Sequence, residues 1–255
     1  MDLPVTDASR RALFVETALV LGVSLGASGI YAVLSIIRKV TAQASLSSQT
    51  TTMNEAVTPD RPWLDLAYQL AGVGLGVVPA FLAVYLLLRD DASAARRIGA
   101  DLRRPGFDLG RGMLLAAAIG IPGLALYLTA RALDLNTTIA AAGLGQTWWA
   151  IPVLVLAAAQ NAILEEVVMV GYLFTRWSQA GWSFVTIALT SAFIRGTYHL
   201  YQGFGGFVGN LAMGLIVAYA YRRWDRVGPL VIAHTILDVV AFVGYAVLAG
   251  RVSWL

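Results

Sequence analysis

The chain has 255 residues, 58% of them hydrophobic and 13% charged, with a mean hydropathy of +0.70 and a formal net charge of +3. A soluble domain carries about 25% charged residues, so an ordinary water-soluble fold is excluded, and the small, dispersed positive surplus offers no nucleic-acid-binding face. Cysteine is absent, which excludes disulfides and thiolate chemistry.

The opening MDLPVTDASRR lacks the basic–apolar–small pattern of a cleavable leader. Apolar blocks follow at 13–37, 63–88, 112–131, 148–175, 183–203, 204–221 and 229–249. A membrane-crossing helix needs about 20 mostly apolar residues. The blocks therefore predict an all-α, polytopic membrane helical bundle of about seven transmembrane helices, with 1–255 as a single membrane domain. The partner implied is the lipid bilayer.

Within the first block, residues 26–29 read GASG, matching the GxSG serine motif of rhomboid proteases. Small-residue helix packing explains Ser28 without chemistry. The pairs Gly22/Gly26, Gly72/Gly76 and Gly205/Gly209 have the spacing that lets helices approach closely. Pro79 and Pro122 are expected to kink their helices. The Ser/Thr-rich stretch 41–60 has no helical period and reads as a mobile outer loop. Residues 89–111 read as an inner, arginine-rich surface loop. No internal repeat is visible, which disfavours an inverted-repeat transporter.

Orientation follows from the basic residues. With the N-terminus inside, inner segments hold Arg10, Arg11, Arg89, Arg96, Arg97, Arg103, Arg104, Arg111, Arg176, Arg222, Arg223 and Arg226. Outer segments hold Arg38, Lys39, Arg61, Arg131 and Arg251. The excess predicts N-in and C-out. All basic residues but Lys39 are arginine, and alanine is abundant. This points to a GC-rich bacterial genome and an integral protein of the bacterial cell membrane.

The first three blocks keep their charges near their ends; the later ones do not. The fourth carries Glu165 and Glu166, the fifth Arg195 and His199, the seventh His234 and Asp238. Each ionisable group at mid-bilayer costs roughly 2.5–3.5 kcal/mol on insertion scales. Six of them facing lipid would be prohibitive, so they are expected to face one another across a polar cavity. Arg195/His199 and His234/Asp238 are i,i+4 pairs on single helix faces, as are Asn161/Glu165. Glu165 and Glu166 lie about 100° apart on a helix. One is expected to face the reaction centre and the other to support it, paired with Arg195 or with backbone. Tyr198, Tyr201, Trp148 and Trp149 read as packing or interface aromatics. Asn161 and Asn210 read as hydrogen-bonding between helices.

These residues, in this order, resemble the CAAX-protease and bacteriocin-processing family, intramembrane endopeptidases related to the Rce1-type prenyl proteases. The resemblance rests on the Glu-Glu pair, on TYHLYQG and on His-x-x-x-Asp, and it spans about 150–245. Two departures stand out. The family's EExxxR has Val170 at its last position here, and FxxxH has Arg195 at its first. One arginine missing and another gained is consistent with a swap.

The resemblance implies an intramembrane endopeptidase with a catalytic core at 148–249, acting on a membrane-associated or CaaX-like peptide. Glu165 would activate water with His199, His234 would donate to the oxyanion, and Asp238 would orient His234 or be protonated. Glu165, His199, His234 and Asp238 are also an acceptable donor set for Zn²⁺, so a metallo-type protease stays open beside the glutamic one. HExxH is absent. No cofactor is implied otherwise. The rival from another class is a proton-coupled carrier or an immunity-type scaffold using the same buried acids.

Depth poses a difficulty. At about 1.5 Å per residue, Glu165 lies about 16 Å from Arg176 and Asp238 about 15 Å from Gly228, but His199 lies about 25 Å from Trp182. A tilt, a later start of the fifth helix or a kink near Gly196 would bring it level.

Overall fold

The computed structural model describes residues 7–145 and 147–252. The leader-free reading of the first residues rests partly on 1–6, which lie outside that range. In chain order the elements are α1 (Asp7–Gly22), α2 (Leu25–Val40), β1 (Thr50–Thr52), α3 (Pro62–Gly76), α4 (Val78–Asp90), α5 (Ala94–Arg97), α6 (Pro105–Ala132) and β2 (Thr138–Ala140). Then come α7 (Ala150–Glu166), a π turn (Val167–Tyr172), α8 (Leu173–Gln179) and α9 (Phe184–Tyr198). A 3-10 turn (Leu200–Gln202) leads into α10 (Phe204–Trp224) and α11 (Gly228–Leu248).

Five helical stretches are long and apolar enough to cross a bilayer: Pro62–Asp90, Pro105–Ala132, Ala150–Gln179, Phe204–Trp224 and Gly228–Leu248. The first predicted block is split into α1 and α2, bent by 58°. Near the bend, Ser24 Oγ donates to the Val20 carbonyl at 2.6 Å. The fifth block yields only the 15 residues of α9, because the chain leaves the helix at His199. Pro79 sits at the start of α4, just past the break from α3, whereas Pro122 lies within α6 without ending it.

Successive crossings alternate in direction and define two ends of the bundle. At the arginine end, buried Arg176 bonds Glu16 of α1 at 2.7 Å, Asp90 of α4 and the Leu86 carbonyl at 2.9 Å. Arg226 grips both oxygens of Asp108 at 2.7 Å and reaches Asp101 at 3.1 Å, a bidentate geometry that fixes orientation as well as charge. The Arg103 amide and the Arg226 guanidinium, against the effect of burial, hold the Asp101 carboxyl below its ordinary range. Gly99, at φ +67°, passes so close that an added Cβ would lie 2.5 Å from Arg226 Cα. Residues 89–111 are thus partly helical and pinned to the bundle by Arg226.

The other end carries the strands. β1 and β2 pair in parallel, Thr51 opposite Ile139. Asp65 accepts the Val57 and Thr58 amides at 2.6 and 3.1 Å, and Ser47 N–H donates to Asp134 at 2.7 Å. The 41–60 segment is therefore tied into a cap, contrary to the mobile loop predicted. Asp134 and the strand partner β2 lie some eighty residues away, beyond the reach of local periodicity.

Helix packing uses only some of the predicted glycine pairs. α11 lies against α7 and α6, and α10 against α9 and α6. An added Cβ at Gly205 would fall 2.4 Å from Ala130 Cβ, and one at Gly209 would lie 3.2 Å from Leu126. Gly76 closes on Gln160 and Gly26 on its own Leu21 carbonyl, while Gly22 and Gly72 have nothing within 4 Å. Spacing alone did not separate a helix contact from an open face. Gly205→Ala is expected to destabilise the protein by about 1–3 kcal/mol through overpacking, read as a lowered unfolding temperature in detergent.

Candidate active site

Glu165 and Glu166 close α7, and the π turn follows at once. A π turn opens the regular ladder and is common at functional sites. Here Ser191 Oγ of α9 donates to the Met169 carbonyl at 2.8 Å, and Thr175 Oγ1 to the Gly171 carbonyl at 2.7 Å. Residues 167–172 are all buried. At Gly171 a Cβ would stand 3.1 Å from Ile98 and 3.2 Å from Val227.

The two acids meet different neighbours. Glu166 is wholly buried; its Oε1 lies 2.8 Å from Arg195 Nη1 and 2.8 Å from His234 Nδ1. Glu165 keeps 8% of its surface. Its Oε2 accepts the Tyr198 hydroxyl at 2.8 Å and lies 3.4 Å from Arg195 Nη1. Arg195, itself 1% exposed, stands between the two carboxylates. Residues from α7, α9 and α11 therefore share one buried polar cluster.

His234 Nε2 is 3.7 Å from Asp238, too long for a hydrogen bond. The partner that fixes the ring is Glu166, not Asp238 as expected. Asp238 is half-buried and lies within hydrogen-bonding reach of Asn161. His199 caps the C-terminal end of α9. Its Nδ1 sits 3.0 Å from the Arg195 carbonyl, and its ring lies between those of Tyr198, at 4.8 Å, and Tyr201, at 6.2 Å. It is in electrostatic reach of Glu165 and His234, but no hydrogen bond joins it to Glu165 among the described residues.

The depth difficulty resolves through side-chain direction. Helix α9 is unbroken at Gly196. Side chains on a helix lean toward its N-terminus, so Tyr198 and Arg195 reach back to the acids while His199 stays at the rim. Tyr198 had read as a packing aromatic. The signal that could have found it is its position three residues after Arg195, on the same face.

A zinc ion does not suit this arrangement. Among the described residues no three His, Asp or Glu side chains gather as ligands of one ion. His234 Nδ1 is committed to Glu166, and the Arg195 guanidinium already supplies positive charge to both acids.

The GASG serine lies elsewhere. Ser28 is exposed on α2, whereas the chain's two histidines both sit in the cluster. Ser28→Ala is expected to leave activity within about twofold of wild type, as exposed substitutions usually do, in a cleavage assay on reconstituted protein.

Residues 147–240 match the family described as type II CAAX prenyl endopeptidase Rce1-like. This segment is similar to the Rce1-like family. Every acid, histidine and arginine of the cluster lies inside the Rce1-like segment, as do Tyr198 and Asn161. No curated protein and no solved structure matches the chain. The first 146 residues, with α1 to α6 and both strands, fall outside the Rce1-like match and frame it.

Proposed function

We propose that this protein is an intramembrane endopeptidase of the Rce1-like type, in which Glu165 activates the hydrolytic water and 148–249 forms the catalytic core. The observation that carries the reading is the unequal treatment of two adjacent acids. Glu166 is neutralised by Arg195 and turned to hold His234. Glu165 is bound through Oε2 and keeps some exposure, which leaves Oε1 to take a proton from water.

The chemistry follows from the donors. Glu165 accepts a proton as water attacks the scissile carbonyl and delivers it to the departing amine. His199, at the rim, shares that proton. Glu166 accepts from the Nδ1–H of His234 and so favours the doubly protonated ring, whose Nε2–H faces the developing oxyanion. Tyr198 and Arg195 fix the Glu165 carboxylate in place. Asp238, with Asn161 beside it, keeps that side of the cluster polar.

The bundle is read as seven crossings, N-in and C-out, in a bacterial cell membrane. The alternation of helices supports this: α1 lies beside the arginine end and α11 finishes at the other. The substrate class is a membrane-associated or CaaX-like peptide. The test is cleavage of a membrane-tethered peptide in proteoliposomes by wild type and Glu165→Gln. Proton-coupled transport that the same change stops, without cleavage, would favour a carrier instead.

A further inference from the structure

The chain has one lysine, and it is buried. Lys39, at the end of α2, is 6% exposed and lies outside the Rce1-like segment. No carboxylate pairs with it among the described residues. Its ammonium donates instead to two neutral oxygens, Thr51 Oγ1 of β1 and the main-chain carbonyl of Tyr201.

The second of these partners lies two residues beyond His199. Helix α9 ends at Tyr198, and the chain then makes a 3-10 turn and reverses at Gly203, where φ is +122°. A corner of this kind leaves carbonyls without helical partners, and in a membrane such groups must be satisfied by protein. Three elements do so. Lys39 takes the Tyr201 carbonyl. Thr137 takes the Gln202 carbonyl twice, from its hydroxyl and its amide, each at 2.9 Å. Thr51 joins the two, its hydroxyl 2.7 Å from that of Thr137 and 3.3 Å from the Tyr201 carbonyl. The Tyr201 ring stacks on His199 at an interplanar angle of 24°, so fixing the Tyr201 backbone fixes one neighbour of the His199 ring.

We propose that Lys39 is a positioning residue for His199, acting through the Tyr201 carbonyl and anchoring the reactive corner to the strand cap. The catalytic part of this inference rests on the reading of His199 given above. Lysine suits the task because one flexible ammonium can bond a hydroxyl and a carbonyl at once, where methionine, of similar length, has no hydrogen to donate to either.

The chain holds only two histidines, so imidazole NMR of labelled protein in detergent gives one signal set for His199 and one for His234. In Lys39→Met the His199 signals are expected to move while those of His234 stay. Lys39→Arg restores them at least in part. Thr51→Val, a milder lesion, shifts them less in the same direction. In proteoliposomes kcat for Lys39→Met is expected to fall on the order of 10- to 100-fold, the scale of a small misplacement, with KM little changed. His199 signals that do not move in Lys39→Met or Thr51→Val, or signals of both histidines moving together, overturn the inference. If His199 alone moves but His199→Ala cleaves as well as wild type, the placement stands and the catalytic reading of His199 falls.

Discussion

Glu165→Gln abolishes peptide cleavage while leaving the protein folded. The expected loss in kcat is about 10²–10⁴-fold, the usual contribution of a positioned general base, with an unfolding temperature close to wild type. The separation is possible because of what Glu165 touches. Its Oε2 receives the Tyr198 hydroxyl, and an amide oxygen accepts that bond equally well. The charge of Arg195 remains balanced by Glu166, 2.8 Å away. Full activity in Glu165→Gln would remove it from the mechanism and move attention to Glu166 and Asp238.

Arg195→Ala is the opposite case, and its effect is on the fold. It leaves Glu166, which is 0% exposed, with only His234 as partner. Removing one member of a buried ion pair costs about 3–5 kcal/mol, mainly because the other charge is stranded. The variant is expected to unfold at much lower temperature and to lose activity with it. Changing Arg195→Met together with Glu166→Gln should recover much of the stability, since replacing a buried pair wholesale is often neutral, but not the negative charge beside His234. A sharper check is Val170→Arg with Arg195→Phe, which restores the arrangement of the related motif. Val170 lies in the π turn four residues past Glu166 and is 1% exposed. Regained stability in that double variant supports a swap of one arginine for another; no gain counts against it. Thermal unfolding in detergent measures both.

Much of the site was legible because charge in an apolar block is conspicuous. Glu165, Glu166, Arg195, His234 and Asp238 were singled out by cost alone, and their helices do meet. The division of labour between the acids was not legible. Spacing said that they face apart, but the choice depends on the π turn, which nothing in VVMVGY announces. Tyr198 was hidden because a tyrosine in a membrane helix has an ordinary explanation at the interface. The helical class was plain from block length. The break between α1 and α2 was not, since no proline marks it, and the strand cap depends on pairing between β1 and β2 across the whole of α3 to α6. Lys39 was counted only as an outer charge, because its partners are a main-chain carbonyl and a threonine from distant segments.

The brevity of α9 has a consequence for the surrounding lipid. Fifteen residues make about 22 Å of helix, whereas the hydrocarbon of a bilayer is about 30 Å thick. Val185, Leu189 and Phe193 line the outward side of α9 and are exposed, so acyl chains pack against a wall that stops short. The leaflet beside it is expected to thin, one of the ways bilayers adjust to short hydrophobic segments. Headgroups then sink toward the level of the His199 corner, and bulk solvent lies only a short step from the acids on this flank of the bundle.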